Sequence, residues 1–310
     1  MRALVTGGAG FIGSNLVDLL LAEGWTVRVL DNLTTGYREN VRGKQLEFTE
    51  GDVRDRRAVE GAVRAVDAVF HLAAAIGNVK SLAAPHEDAE INAVGTVTVL
   101  EAAARAGVPR VVYSSSAAIF GELQGSVIDE DHPQNPSSPY GVSKLAGEKY
   151  ALCYGRAHPM IVVCLRYFNV YGLNQRYDAY GNVIPIFAHH LHTGASLTIF
   201  GDGEQTRDFV NARDVARANL LAATVARQTG VYNVGCGESI TINALARLVQ
   251  EASGISASVD YAPTRQGDVR HCRADIRKLE RDLDFRPSTD FRGGLVEYFG
   301  WFARDRRRAS

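Results

Sequence analysis

The sequence predicts an α/β fold, a doubly wound parallel sheet followed by a smaller C-terminal α/β lobe. Three observations carry this reading. The chain opens with a strand, a glycine-rich turn and a helix; strands and helices alternate from there to about residue 170; and the regularity is lost beyond Gly172. Alternation of this kind implies parallel strands joined by right-handed crossovers. With 310 residues, 46% of them hydrophobic, the chain can hold a main domain and a second lobe, each with a core. We expect a nucleotide-binding domain over residues 1–172, with 213–235 returning to it, and a mainly substrate-binding lobe over 173–310. The net charge of −1 provides no field to draw nucleic acid or an acidic membrane surface.

The opening stretch, MRALVTGGAGFIG, organises the rest. Ala3, Leu4 and Val5 form a short apolar run that stops at Gly7, Gly10 and Gly13, and helical spacing begins at Phe11 and Ile12. Such a turn needs residues without a Cβ, both for its backbone angles and to let phosphates approach the main chain. The first N–H groups of the helix then face that phosphate, with the helix dipole behind them. A second apolar run, 26–30, ends at Asp31, about 20 residues beyond the loop, where a carboxylate accepts hydrogen bonds from an adenosine ribose. These features form a Rossmann-type βαβ unit. Asp31 would repel a 2′-phosphate, and Arg28 precedes the strand end, so NAD is expected rather than NADP.

After Asp31 come a polar loop, a third strand at 45–49, and Gly51-Asp52. Asp52 lies on the ligand edge of the sheet and suits either a contact to an adenine amino group or a turn-forming role. A helix of mixed charge (56–65) leads to a buried strand (68–72) ending in His71-Leu72-Ala73-Ala74-Ala75, small residues that let a cofactor lie close. Residues 87–106 have helical periodicity, with Ile91, Val94, Val97, Leu100 and Ala104 on one side, and read as one helix with two apolar faces. The next strand, 110–114, runs into Ser115 and Ser116. From Gly121 to Ser138 the composition is that of a loop, and a second long helix follows over 139–156. A strand at 161–166 ends in Tyr167-Phe168-Asn169; helix 213–226 and strand 231–234 are expected back in the main domain.

No segment reaches the ~20 apolar residues of a membrane span, and glycines break the N-terminal run, so a cytoplasmic protein is expected. Cys153, Cys164, Cys236 and Cys272 are widely spaced without a C-x-x-C, which argues against both a disulfide framework and a metal site. The basic run 304–308 reads as a solvated chain end.

Within YGVSK, Tyr140 and Lys144 lie four apart on one helix face. A free phenol has a pKa of about 10 and is a poor base at neutral pH. The ammonium of Lys144, together with an oxidised nicotinamide, would favour phenolate and make Tyr140 a usable base. Such a pair on an arbitrary helix is a surface pair; the glycine loop and the serine-ended strand upstream are what give it meaning.

Taken together, GGAGFIG, GDVRD, HLAAA, SSSAAIFG, YGVSK, LRYFNVYG, GDGEQTRDFV and RQGDV make the chain, from residue 1 to about 303, similar to the extended short-chain dehydrogenase/reductase family. Within it the chain resembles the nucleotide-sugar 4-epimerases of the UDP-glucose 4-epimerase kind. The resemblance implies Tyr140 as catalytic base, Lys144 as its orienting partner and Ser116 as the hydroxyl on the reacting sugar oxygen. It implies a cofactor site from Gly7, Gly10, Phe11, Ile12, Gly13, Asp31, Asn32, Asp52, Val53, Leu72, Ala73, Ala74, Asn92, Ser114, Tyr140, Lys144 and Tyr167. For the nucleotide diphosphate sugar it implies Ser116, Asn169, Arg176, Asn182, Val183, Arg207, Arg265, Asp268 and Cys272. Two arginines suit a diphosphate through charge-assisted, forked hydrogen bonds.

The implied reaction is transient oxidation at the sugar's C4, with no net redox, and the implied assembly is a C2 homodimer. Relatives that dehydrate or decarboxylate nucleotide sugars usually carry a carboxylate just after the catalytic hydroxyl; here stand Ala117 and Ala118. A dehydratase or decarboxylase is therefore the second reading, and a non-catalytic NAD(H) sensor, which usually lacks the Tyr and Lys, the third. Arg176 falls where UDP-glucuronate 4-epimerases place an arginine near the sugar carboxylate; its other role would be to tie down its loop through an acid such as Asp178. The expected pairs are, in order, UDP-glucose/UDP-galactose, UDP-glucuronate/UDP-galacturonate and the N-acetylated sugars, for which a small Cys272 would leave room.

Overall fold

The computed structural model of the chain describes residues 1–121, 123–179, 181–264 and 269–305. Strand Arg2–Thr6 (β1) buries Ala3, Leu4 and Val5, and the glycine turn delivers helix Phe11–Ala22 (α1), which buries Leu16, Val17 and Leu20. Strands Thr26–Asp31 (β2) and Glu47–Glu50 (β3) follow. Helix Arg56–Ala62 (α2) is capped by Asp55, which accepts from the Arg57 and Ala58 amides, an arrangement worth ~1 kcal/mol. It stops short of residue 65 because the chain turns back to the sheet there, with Ala65 at a φ of +53°.

Strand Ala68–His71 (β4) leads through small residues to two short helices, Asn78–Ala83 (α3) and Pro85–Ala89 (α4). The single helix expected over 87–106 is divided: α4 runs into a π turn, Glu90–Val94, before Gly95–Arg105 (α5) completes it. The cause lies at Asn92, whose buried amide turns inward to bond both backbone groups of Ala75, so the turn takes an extra residue. Val99, Leu100 and Ala103 pack toward the sheet, whereas Val94 is 57% exposed, so part of the expected apolar stripe faces outward.

Strand Arg110–Ser116 (β5) carries all three serines, longer than the expected 110–114. The 121–138 stretch, read as loop, contains a two-residue strand, Val127–Ile128 (β6). Helix Pro139–Ala157 (α6) has Ser138 at its N-cap accepting from the Gly141 amide and a proline in its first turn, both strong start signals. Strand Ile161–Tyr167 (β7) follows.

The remainder comprises Asn169–Tyr171 (β8), Val183–Thr193 (α7), Leu197–Phe200 (β9), Thr206–Arg207 (β10), Phe209–Asn211 (β11), Ala212–Thr224 (α8), Gly230–Val234 (β12), Ile240–Thr241 (β13), Ile242–Ser253 (α9), Val259–Ala262 (β14), Arg273–Ala274 (β15), Arg277–Leu283 (α10) and Phe291–Arg304 (α11). Seven parallel strands form the main sheet in the order β12-β7-β5-β4-β1-β2-β3. The strand order reverses beside β1, and ligands of such sheets bind outside the carboxyl ends of the strands at that point. One face is covered by α1 and α8, the other by α2, α5 and α6. A separate core joins α7, α9 and α11 in the second lobe, and β6 pairs with β15, tying the 121–138 stretch to the C-terminal region. No helix among the described residues is long and apolar enough to cross a membrane.

Candidate active site

Along the carboxyl edge of the main sheet runs a cavity of about 530 Å³. Every expected cofactor residue except Asn92 lines it: Gly7, Gly10, Phe11, Ile12, Gly13, Asp31, Asn32, Asp52, Val53, Leu72, Ala73, Ala74, Ser114, Tyr140, Lys144 and Tyr167. The chain fits a dinucleotide here by shape and by charge. Gly7 has a φ of +70°, and a Cβ on it would stand 2.7 Å from the Ala73 nitrogen; one on Gly13 would stand 2.1 Å from the Gly7 carbonyl oxygen. Only glycines allow the turn to close so tightly that the first amides of α1 face the cavity. Asp31, at the end of β2, accepts from the amides of Ala9 (2.9 Å) and Leu33 (2.8 Å), and its burial pushes the carboxyl above its ordinary range.

Asp52 lines the cavity, and its carboxylate closes a turn onto the Arg54 amide (2.8 Å) while accepting from the Arg54 guanidinium and Asn32. The guanidinium holds it down to about 2. Asn92 does not reach the cavity. It is buried behind the wall, its Oδ1 accepting from the Ala75 amide at 2.9 Å and its Nδ2 donating to the Ala75 carbonyl at 3.0 Å, so it shapes the site through the 73–75 segment.

The first turn of α6 brings the Tyr140 hydroxyl beside Ser116, at the end of β5. One turn on, Lys144 lies 3.5 Å from Ser114 Oγ, with its ammonium 4.6 Å above the Tyr113 ring. Burial pulls Lys144 down to about 8, against the pull of Asp88 and Glu148. Burial likewise pushes the Tyr140 phenol up, outweighing the hydrogen bond from Ser116, and Asp88 adds to the rise. Among these influences the cost of burying a phenolate is the largest.

On the far side, Asn169 donates to the Asp208 carbonyl (3.0 Å), Arg207 donates to the carbonyls of Thr206 (2.8 Å) and Val269 (2.6 Å), and Cys272 packs with Phe120 and Phe168 in the cluster that follows Ser116. Burial pushes the Cys272 thiol up to about 11. Asn182 and Val183 stand at the start of α7, with Asn182 donating weakly to the Val170 carbonyl. Arg265 and Asp268 lie outside the described residues, as does most of the basic chain end.

Arg176 is not brought to this group. Its Nε lies 2.6 Å from Asp305 Oδ2, and its Nη1 donates to Asn40 at 3.2 Å, while Asp178 pairs instead with Lys80. The pairing joins segments remote in sequence, so no local spacing signals it.

Several residues that the motif reading passed over support the site. Thr6 donates to His71 Nδ1 (2.7 Å), His71 Nε2 donates to Thr96 (3.0 Å), and Thr96 donates to the Asn92 carbonyl (2.6 Å), a chain of bonds beneath the cavity. Burial, aided by Lys144, holds His71 down to about 3, so it stays neutral. Buried Glu148 takes a forked pair from Arg166 (2.7 and 3.0 Å) and a bond from Ser115 (2.6 Å), fixing α6 to β5 and β7. Asp208 gathers the amides of Cys236, Gly237 and Ala274. Glu148 and Arg166 stand within or just beside quoted motifs, and a charged residue amid apolar neighbours was the available signal.

A family model described as the NAD dependent epimerase/dehydratase family matches residues 3–235. A UDP-glucose 4-epimerase of Mycolicibacterium smegmatis is 37% identical, covering 96% of this chain and 98% of that protein. The structure of a UDP-glucose 4-epimerase of Thermotoga maritima with UDP-glucose superposes with a TM-score of 0.93 at 36% identity, covering 98% and 99% of the two chains. A dTDP-glucose 4,6-dehydratase of Streptomyces venezuelae with NAD bound gives a TM-score of 0.91 at 34% identity, covering 99% and 98%. A glycine cradle, a buried acid after β2 and a Tyr/Lys/Ser cluster on the sheet edge are thus set in a chain that, by this match and these relatives, belongs to the NAD dependent epimerase/dehydratase family.

Proposed function

We propose that the protein, with NAD as its cofactor, interconverts a UDP-hexose and its 4-epimer, and that UDP-glucose and UDP-galactose are the pair. The observation that carries this reading is the juxtaposition of Tyr140 with Ser116 at the end of β5, with Ser116 followed on the chain by the methyl groups of Ala117 and Ala118. Eliminating water would need a proton carrier beside the sugar, and neither alanine can serve. Bound NAD supplies a hydride acceptor and donor, so the sugar passes through a 4-keto form without net redox. The chain does the rest. Tyr140 takes and returns the proton of the 4-hydroxyl, and Ser116 holds the reacting oxygen by a hydrogen bond. Lys144, largely protonated at neutral pH, sets a positive charge on the floor of the site. Arg207, with Arg265, is the clamp for the diphosphate.

Substrate choice follows from Arg176. Its commitment to Asp305 and Asn40 removes the argument that favoured a sugar carboxylate, which leaves UDP-glucuronate behind UDP-glucose. The dehydratase relative keeps one second reading open, loss of water from a nucleotide sugar. A cytoplasmic setting suits four free cysteines. The test is incubation with UDP-glucose, UDP-glucuronate, UDP-N-acetylglucosamine and dTDP-glucose, with products read by NMR. UDP-galactose is the expected product, and a chain that converts none of the UDP-hexoses would refute the assignment.

A further inference from the structure

The segment 173–176, which enters the second lobe, is fastened to the first turns of α1 and to Asn40 by three separate bonds. Asn15 donates to the Leu173 carbonyl (2.9 Å), Asn174 donates to Ser14 Oγ (3.0 Å), and Arg176 donates to Asn40 Oδ1 (3.2 Å). The third leads directly into the glycine turn. Asn40 is buried, and its Nδ2 donates to the carbonyl of Ala9 at 2.8 Å, while the Ala9 amide donates to Asp31 at 2.9 Å. On its other side Arg176 is held by Asp305, just beyond α11, and its guanidinium lies over the rings of Tyr37 (3.9 Å) and Trp301 (5.7 Å). The side chain is only 9% exposed.

We propose that Arg176 is a positioning residue for NAD, which acts through Asn40 to hold the Ala9 turn and Asp31 in their binding geometry and so ties cofactor affinity to the end of the C-terminal helix. A buried guanidinium gripped on both sides fixes the orientation of the Asn40 amide, since only one face of that amide can then meet the Ala9 carbonyl. Loss of the grip frees Asn40 to rotate, and the turn that faces the pyrophosphate loses a support while the sugar side keeps its contacts. The inference rests on the NAD-binding reading of the cavity and is independent of which sugar is turned over.

The test uses purified full-length wild type, Arg176→Ala, Arg176→Lys and Asp305→Ala. The readouts are NAD retained after gel filtration, the NAD dissociation constant by fluorescence titration, and the sugar KM at saturating NAD. Arg176→Ala is expected to weaken NAD about tenfold, the loss of one buried charged hydrogen bond, with sugar KM within about twofold. Arg176→Lys should fall between, because an ammonium keeps the ion pair and loses the fork. Asp305→Ala, remote from the cavity, should shift NAD in the same direction, and it decides the matter if Arg176→Ala does not fold. Unchanged NAD affinity with a lowered melting temperature would reduce Arg176 to a structural tie and overturn the proposal. So would a rise in KM confined to a uronate. A wild type that bound no NAD would instead refute the reading of the cavity.

Discussion

Lys144 is buried where it must carry a charge, and this conflict can be measured. Its ammonium is pulled down to about 8 from an ordinary 10.5, so between those values the folded chain binds fewer protons than the unfolded one. By linkage, stability rises with pH across that window, and below pH 8 the buried charge is a full penalty. We expect Lys144→Met to raise stability at pH 7 by on the order of 2–3 kcal/mol, the gain shrinking to nothing by about pH 10.5, while activity is lost. Urea unfolding at both pH values checks this, and a destabilised variant at pH 7 would contradict it. Tyr140→Phe removes only a hydroxyl and should keep NAD while losing most turnover; normal turnover would exclude Tyr140 as the base. The Tyr140–Lys144 pair was legible because four residues make one helical turn. Arg176 was not, because its partners Asn40 and Asp305 come from opposite ends of the chain.

At the level of elements, the glycine turn and the π turn are two places where backbone geometry shapes the cavity. A methyl on Gly13 would run into the Gly7 carbonyl, an atom that cannot move without opening β1 from α1. Gly13→Ala should therefore abolish NAD binding, as read by titration; retained affinity would mean that the turn yields. Asn92→Ala leaves the amide and carbonyl of Ala75 without their side-chain partner, at about 1–3 kcal/mol for each group. We expect a loss of about 2–4 kcal/mol in urea unfolding, together with weaker NAD binding; a loss below 1 kcal/mol would show that water replaces the amide. The glycine turn could be read from the sequence because glycine spacing reports it directly. The π turn could not, since helical periodicity in 87–106 persists across it and the cause is a side chain bonding to a loop in another segment.

For the whole molecule, the alternation of strands and helices was enough to give the parallel sheet, at whose edge β12 pairs with β7. The interlocking of the small paired strands with the sheet edge was not legible, because strands of two or three residues carry no periodic signal. We propose a C2 homodimer through the π turn with α5, and α6, where Val94 of the π turn and Val142 and Tyr150 of α6 are exposed at 57%, 53% and 48%. Light scattering at micromolar concentration should give twice the chain mass, and Val94→Glu with Val142→Glu should halve it; a wild-type monomer would refute the assembly. The central claim is that hydride leaves C4 and returns to C4. The direct measurement is turnover of UDP-glucose deuterated at C4, followed by NMR. The account expects UDP-galactose with the deuterium still at C4. Deuterium found at C6 of a keto-deoxy sugar, or lost to water, would contradict it.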